Sequence, residues 1–359
     1  MSIPFYLAVI LSTLMTACLA SVEIEGRVMG LDLTLTYGTA IFWTPNSTSN
    51  AAVIAGSPQY KLAMSNLVRY SSPDKEDVSF RRPWYCRYLP GLQRCTPDED
   101  LVAVADMLRA LRTACDDFAG VPVPYCGVST PVPRYWSQRT NQSTFIYGAL
   151  DFAELPKPGL RWHFAGEAAA MANGRNCSFG MSCKADQWLD RTPVQAVLTI
   201  DYSQEALTTS LMAADGNEFD ALHVETRFDL GAASLSSQDD PQEHWRDVKG
   251  SIKRALAYTM RALTEYTQGP PQREALHVVV YGDAVGTTGL RTALKESLEP
   301  YEPGFVVLPE DRKMADPIFA AAEGTVAFLD PFDGRIDSID VIYFPQDYIK
   351  EEHRPKTEL

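Results

Sequence analysis

Gly30-Leu31-Asp32-Leu33-Thr34-Leu35-Thr36-Tyr37-Gly38-Thr39-Ala40 and Ala196-Val197-Leu198-Thr199-Ile200-Asp201-Tyr202-Ser203-Gln204-Glu205-Ala206-Leu207-Thr208-Thr209 share one plan. Each enters as an apolar run, passes a single aspartate, turns within a few small or polar residues and leaves with alternating character. Each could open one half of a duplicated structure. Two carboxylates converging between such halves are suited to holding a hydrated magnesium ion and the phosphates it carries.

With 359 residues the chain has room for two domains or one large bilobal one. A hydrophobic content of 45% with 22% charged residues is that of a globular protein able to bury a core. The net charge of −14 and a pI near 4.8 argue against nucleic acid and anionic membrane surfaces as partners.

Residues 1–20 read as a secretory signal. Ile3 to Ala20 carry no charge, Tyr6 to Leu11 are apolar, and Ala17-Cys18-Leu19-Ala20 offers small residues for cleavage before Ser21. Cleavage removes Cys18, one of 7 cysteines. The others fall into close pairs, Cys86/Cys95, Cys115/Cys126 and Cys177/Cys183, and an even number in an oxidising compartment suggests three disulfides between sequence neighbours. No pair has zinc-knuckle or redox-motif spacing. Sequons at Asn46, Asn141 and Asn176 suit glycosylation, the last being compromised by Cys177. The ending Lys356-Thr357-Glu358-Leu359 resembles a K-D-E-L retrieval signal, so the expected location is the endoplasmic reticulum lumen or the exterior.

Three helices are signalled. Thr96-Pro97-Asp98-Glu99 reads as a capping box ahead of Leu101, Val104, Ala105, Leu108 and Leu111. Asp240-Pro241-Gln242-Glu243 starts a second, with Trp245, Val248, Ile252, Leu256 and Leu263 at helical spacing. The third follows Thr288 with Leu290, Ala293, Leu294 and Leu298, and stops at Pro300. Leu276 to Tyr281 is a buried-strand candidate running into Gly282-Asp283-Ala284-Val285-Gly286, a strand–turn–helix arrangement of the ligand side of α/β folds.

Taken in order, these segments resemble the nucleotide-binding domain of the 70-kDa heat-shock chaperones, within the actin and sugar-kinase superfamily. The Asp32 hairpin resembles the phosphate-1 loop D-L-G-T-T-Y-S, and Val128-Ser129-Thr130-Pro131-Val132-Pro133-Arg134-Tyr135-Trp136 with Gln138-Arg139 resembles V-T-V-P-A-Y-F…Q-R. Glu167 to Gly174 resembles E-P-T-A-A-A-L-A-Y-G at the interlobe crossover. Asp201 opens the counterpart of phosphate 2, and Leu230-Gly231-Ala232 resembles the L-G-G turn beyond it. Val278 to Asp283 resembles the adenosine loop, and Asp316 to Ala327 the closing D-P-x-x-A-V-A-x-G-A-A helix.

The resemblance implies an α/β, bilobal actin-like ATPase fold with two ribonuclease-H-like halves around a central cleft. Residues 21–192 would form the first lobe, 193–328 a shortened second lobe and 329–359 a tail. It implies magnesium-ATP in the cleft, with Asp32 and Asp201 orienting the metal's water shell and Glu167 placing the metal or the attacking water. Thr34, Thr36, Gly231, Gly282 and Asp283 would line the nucleotide.

The departures point the other way. Phosphate loops use glycine so that backbone N–H groups can approach oxygen atoms. Here Thr34 and Leu35 replace a glycine and a threonine, and Tyr202-Ser203-Gln204-Glu205 stands in place of L-G-G-G, with a carboxylate where polyphosphate would lie. Asp283 occupies a glycine position. No lysine aligns with the family's catalytic lysine, although Arg81 and Arg82 lie in the right region, and the adenine-clasping stretch between Gly231 and Leu276 is short. The family's peptide-binding domain is not expected, since the chain ends soon after Ala327.

Three functions fit: a degenerate heat-shock-type domain acting as a binding or chaperone-accessory protein among secretory-pathway partners; an active, divergent magnesium-ATP-dependent ATPase; or an unrelated secreted α/β hydrolase. Against the last, the sequence lacks G-x-S-x-G, H-E-x-x-H and a Cys/His nucleophile arrangement.

Overall fold

The computed structural model describes residues 27–45, 47–69, 98–132, 141–155, 161–173, 195–215, 218–236, 240–267, 276–300, 306–307 and 315–327. Residues 1–20, expected to be a secretory signal, the cysteines at 86, 95, 177 and 183, Arg81 and Arg82, and residues 329–359 lie outside them. The chain forms a mixed α/β structure with two five-stranded mixed sheets.

In the first sheet β1 (Val28–Leu33) is central. It pairs antiparallel with β2 (Tyr37–Thr44), which pairs antiparallel with β3 (Ser47–Ala55). On its other side β1 runs parallel to β4 (Tyr125–Thr130), and β4 to β5 (Arg161–Phe164). The second sheet repeats this around β6 (Gln195–Tyr202). It has β7 (Leu207–Asp215) and β8 (Glu218–Arg227) antiparallel on one side, and β9 (Leu276–Tyr281) and β10 (Val306–Val307) parallel on the other. The duplication extends to register: Asp32 faces Thr39 across its hairpin, and Asp201 faces Thr208.

Outer helices cover one face of each sheet. On the first, α1 (Pro58–Arg69) and α2 (Glu99–Ala119) pack with α3 (Asn141–Phe152) over Met29, Leu31 and Leu33, and α2 contributes Val104, Leu108 and Leu111. Each such buried leucine is worth about 2 kcal/mol of apolar transfer. The cap of α2 falls on Asp98, whose carboxylate accepts from the Asp100 amide at 3.0 Å, and not on Thr96 as the capping-box reading had it. An aspartate oxygen at this position reaches the second free N–H of the first turn unaided. The helix ends at Gly120, in the left-handed region at φ 70°. On the second sheet α5 (Pro241–Thr267) buries Val248, Ile252 and Leu256, and α6 (Thr288–Leu298) buries Leu290, Ala293 and Leu294. Asp240 caps α5 through the Gln242 amide at 2.8 Å.

The other faces are covered by exchange. Helix α4 (Ala165–Ala172) follows β5 of the first sheet, yet packs with Val197, Met212 and Val279 of the second. Helix α7 (Ala320–Ala327) follows the second sheet in the chain and lies on the first, where Ala322 and Val326 meet Val28 and Ile41. Neighbouring glycines of β1 and β4, Gly30 and Gly127, make the groove for α7. A Cβ on Gly30 would overlap the Ala322 carbonyl oxygen, and one on Gly127 would lie 2.9 Å from the Thr325 carbonyl oxygen. The two exchanged helices cross where Gly324 meets the backbone of Ala168.

The expected Cys115–Cys126 bridge is absent. Both thiols are buried and free, with Cys115 Sγ donating to Ile41 O at 3.3 Å and Cys126 Sγ directed at Gly127 O. Burial pushes the Cys115 thiol up to about 12, so these sulfurs behave as core packing groups. Closeness in sequence did not translate into a bond, because one cysteine rides on α2 and the other on β4, and each sulfur is turned to a different carbonyl.

Gly324→Ala forces a methyl into the Ala168 backbone and is expected to cost about 3 kcal/mol in chemical denaturation, the upper range for overpacking. Gly286→Ala, with nothing within 4 Å of the new methyl, is the control and is expected to be near neutral. Equal effects at both positions would contradict the crossing-helix geometry.

Candidate functional site

Asp32 and Asp201 lie near the ends of β1 and β6, each followed by a turn closed in the same manner. In the first turn the Thr34 amide donates to Tyr37 O at 3.0 Å and its hydroxyl donates to the same oxygen at 2.7 Å. The amides of Thr36 and Tyr37 donate back to Thr34 Oγ1 at 3.2 and 3.0 Å. In the second, Ser203 N and Oγ both donate to Ala206 O, and Ala206 N donates to Ser203 Oγ at 3.2 Å. A hydroxyl two residues after the aspartate thus uses up N–H groups of the turn in both halves. The sequence contains the signal, Asp-x-Thr at 32–34 and Asp-x-Ser at 201–203.

Asp32 is 2% exposed and accepts from Ser129 Oγ at 2.7 Å, from the parallel neighbour on β4. Burial raises its pKa to about 7, against the lowering effect of that hydrogen bond. Asp201 is half-buried. Its pKa is raised well above the usual range by burial first, then by the charge of Asp32 and then by that of Asp283. The two strand aspartates are therefore within electrostatic reach of one another. Tyr37, Tyr60 and Tyr281 stand around them, each with its phenol pKa raised mainly by burial and then by these carboxylates.

Gly282 and Asp283 follow β9. Gly282 has φ 110°, and a Cβ there would sit 2.5 Å from Tyr202 O and 2.6 Å from Asp201 Oδ1. Only glycine fits. The Asp283 carboxylate accepts from the Gln204 amide at 3.0 Å, and Ala284 N donates to Tyr202 O at 3.1 Å. Asp283 has its pKa raised by burial, opposed by the Gln204 bond, with Glu205 adding repulsion and Lys61 attraction. Gly231 precedes a short helical turn, Ala232–Leu235, whose first amides donate to Ser203 O and Gln204 O at 2.9 Å. Thr36 is buried with no partner for its hydroxyl, and so is Thr39 opposite Asp32. Glu167 sits half-buried in the first turn of α4, where a carboxylate complements the helix dipole.

Helix α1 touches both halves of the structure. Tyr60 OH donates to Thr34 O at 2.7 Å and lies 3.3 Å from Tyr37 O. The Arg69 guanidinium sits 4.5 Å over the Phe228 ring. Ala206 of the second turn is buried in the first core. The sequence reading missed Tyr60, Ser129 and Tyr281, whose roles depend on pairings across strands and halves, and it took Ser203 only as a lost glycine although its closing of the turn is local.

Asp32 and Asp201 suit a hydrated cation through water ligands. Among the described residues no three His, Cys, Asp or Glu side chains gather to hold an ion directly. Six turn N–H groups are already engaged: those of Thr34, Thr36 and Tyr37 on Tyr37 O and Thr34 Oγ1, and those of Ser203, Ala206 and Gln204 on Ala206 O, Ser203 Oγ and the Asp283 carboxylate. No helix among the described residues is long and apolar enough to cross a membrane. No protein-family model matches the chain, and no curated protein does.

An acid with a pKa higher in the folded than in the unfolded state holds more protons when folded, so stability falls as pH rises through that window. For Asp32 the window runs from 3.8 to about 7. The lowered His223 and His244 act in the opposite sense, losing stability as pH falls through 6.5. Subtracting the profiles of Asp32→Asn and Asp201→Asn removes the histidine part. Between pH 5 and pH 8 without divalent metal, the wild type should lose on the order of 2–3 kcal/mol more than Asp32→Asn, and it should also lose more than Asp201→Asn. Parallel profiles would mean the carboxylates are ionised at no cost.

Proposed function

We propose that the chain is a secretory-pathway binding protein built on an actin-like, heat-shock-type nucleotide-binding domain whose cleft no longer hydrolyses ATP. The observation that carries this reading is the repeated β-sheet topology with Asp32 and Asp201 at the same register, each sheet covered by the other half's helix. On this reading the two aspartates belong to the junction of two lobes, around a cleft in which relative lobe motion would be felt.

Loss of hydrolysis is supported by the chemistry of the turns. Phosphoryl transfer relies on preorganised N–H donors and cations around the developing charge. Here most turn donors are already engaged, three carboxylates share the space, and Tyr60 directs a neutral hydroxyl at the first turn. What remains is a two-lobed body able to bind other proteins of the secretory pathway. Signal cleavage, glycosylation and luminal retention belong to the same proposal. N-terminal sequencing of protein made by a secreting host is expected to begin at Ser21, and a mature chain still beginning at Met1 would exclude it.

Retention of both strand aspartates favours the alternative of a divergent ATPase, and titration separates the two. The expected result is no heat of binding and no rise in melting temperature with millimolar magnesium-ATP, where a ligand at 100 times its Kd would add about 2.7 kcal/mol. A micromolar Kd that disappears in Asp201→Asn would falsify the degenerate reading.

A further inference from the structure

We infer that the Asp283 carboxylate is a built-in occupant of the second turn, standing where the anionic group of a ligand would stand and holding the turn shut. This rests on the reading of the Asp201 turn as a former phosphate-binding loop. The geometry is specific. Asp283 Oδ1 accepts from the Gln204 amide, a turn N–H that Ser203 and Ala206 leave unused. That contact joins residues far apart in the chain, so it is tertiary and not a property of the turn alone. The loop bearing it is fastened on both sides. Gly282 N donates to Pro317 O at 3.0 Å, Ala284 N to Tyr202 O, and Thr287 Oγ1 to Ala284 O at 2.7 Å.

The position is electrostatically unfavourable for a carboxylate, which is what makes it informative. Asp201 and Glu205 both repel it, and Lys61 on α1 is the cation that acts in its favour. A surface aspartate could turn to solvent. This one, half-buried, is held over the turn by the Gln204 N–H, with the Lys61 charge offsetting part of the repulsion. An incoming phosphate would meet a satisfied N–H and an added negative charge. Removing the carboxylate frees the donor and lowers the repulsion together.

The test uses the full mature chain, with magnesium pyrophosphate and magnesium-ATP as probes, in titration calorimetry of wild type, Asp283→Asn and Asp283→Gly. Affinity for pyrophosphate is expected to rise at least tenfold in Asp283→Gly and by less in Asp283→Asn, whose amide oxygen can keep the Gln204 bond. Hydrogen exchange of the Gln204 amide should accelerate in Asp283→Gly and slow again when pyrophosphate is added. If the glycine variant does not fold, as judged by a lost thermal transition, the asparagine variant decides. Folded variants that bind no more tightly than wild type, or a Gln204 amide that exchanges equally in all three proteins, overturn the inference. Micromolar binding of magnesium-ATP by the wild type would instead overturn the degenerate reading, so the two failures are distinct.

Discussion

The close crossing of α4 and α7, with Gly324 against the Ala168 backbone, is the constraint from which the arrangement of the two sheets follows. Neither helix covers the sheet that precedes it. Each lies on the other's inner face, so neither half can bury its apolar inner surface alone. Both helices are rich in alanine and carry a glycine, and only such small side chains let two backbones and a sheet meet this closely. The glycine pair at 30 and 127 extends the same logic into the strands. It lets α7 sink between β1 and β4 toward the end at which Asp32 lies.

That architecture puts ionisable groups where solvent is scarce. Asp32, Asp201 and Asp283 are drawn together by strands and a loop whose positions are set by apolar packing, and their raised pKa values record the cost. Ser129 relieves part of it by donating to Asp32, and Gln204 does so for Asp283. A cluster of carboxylates maintained this way is a common signature of a functional site.

The two turns make that concrete. Thr34 and Ser203 each supply one hydroxyl that both donates to a carbonyl and accepts from an amide, so each turn is closed by its own side chain. Glycine at those positions would leave the same amides open. The device is symmetric, one hydroxyl in each half, at equivalent points two residues after the strand aspartate.

The sequence by itself determined the strand–aspartate–turn units, the helix start at Asp240 and, to within one residue, the one at Thr288, and the small-residue character of α4 and α7. These are local properties, written in alternation, capping residues and side-chain size. It also placed Asp32 and Asp201 at equivalent points, because period-2 patterning fixes which residues share a face. Tertiary structure alone decided that Cys115 and Cys126 face different carbonyls, that Tyr60 reaches Thr34, and that Asp283 meets the amide of Gln204. Each of these joins groups whose approach is set by how helices and loops pack on a sheet, and no pattern within one segment encodes that distance.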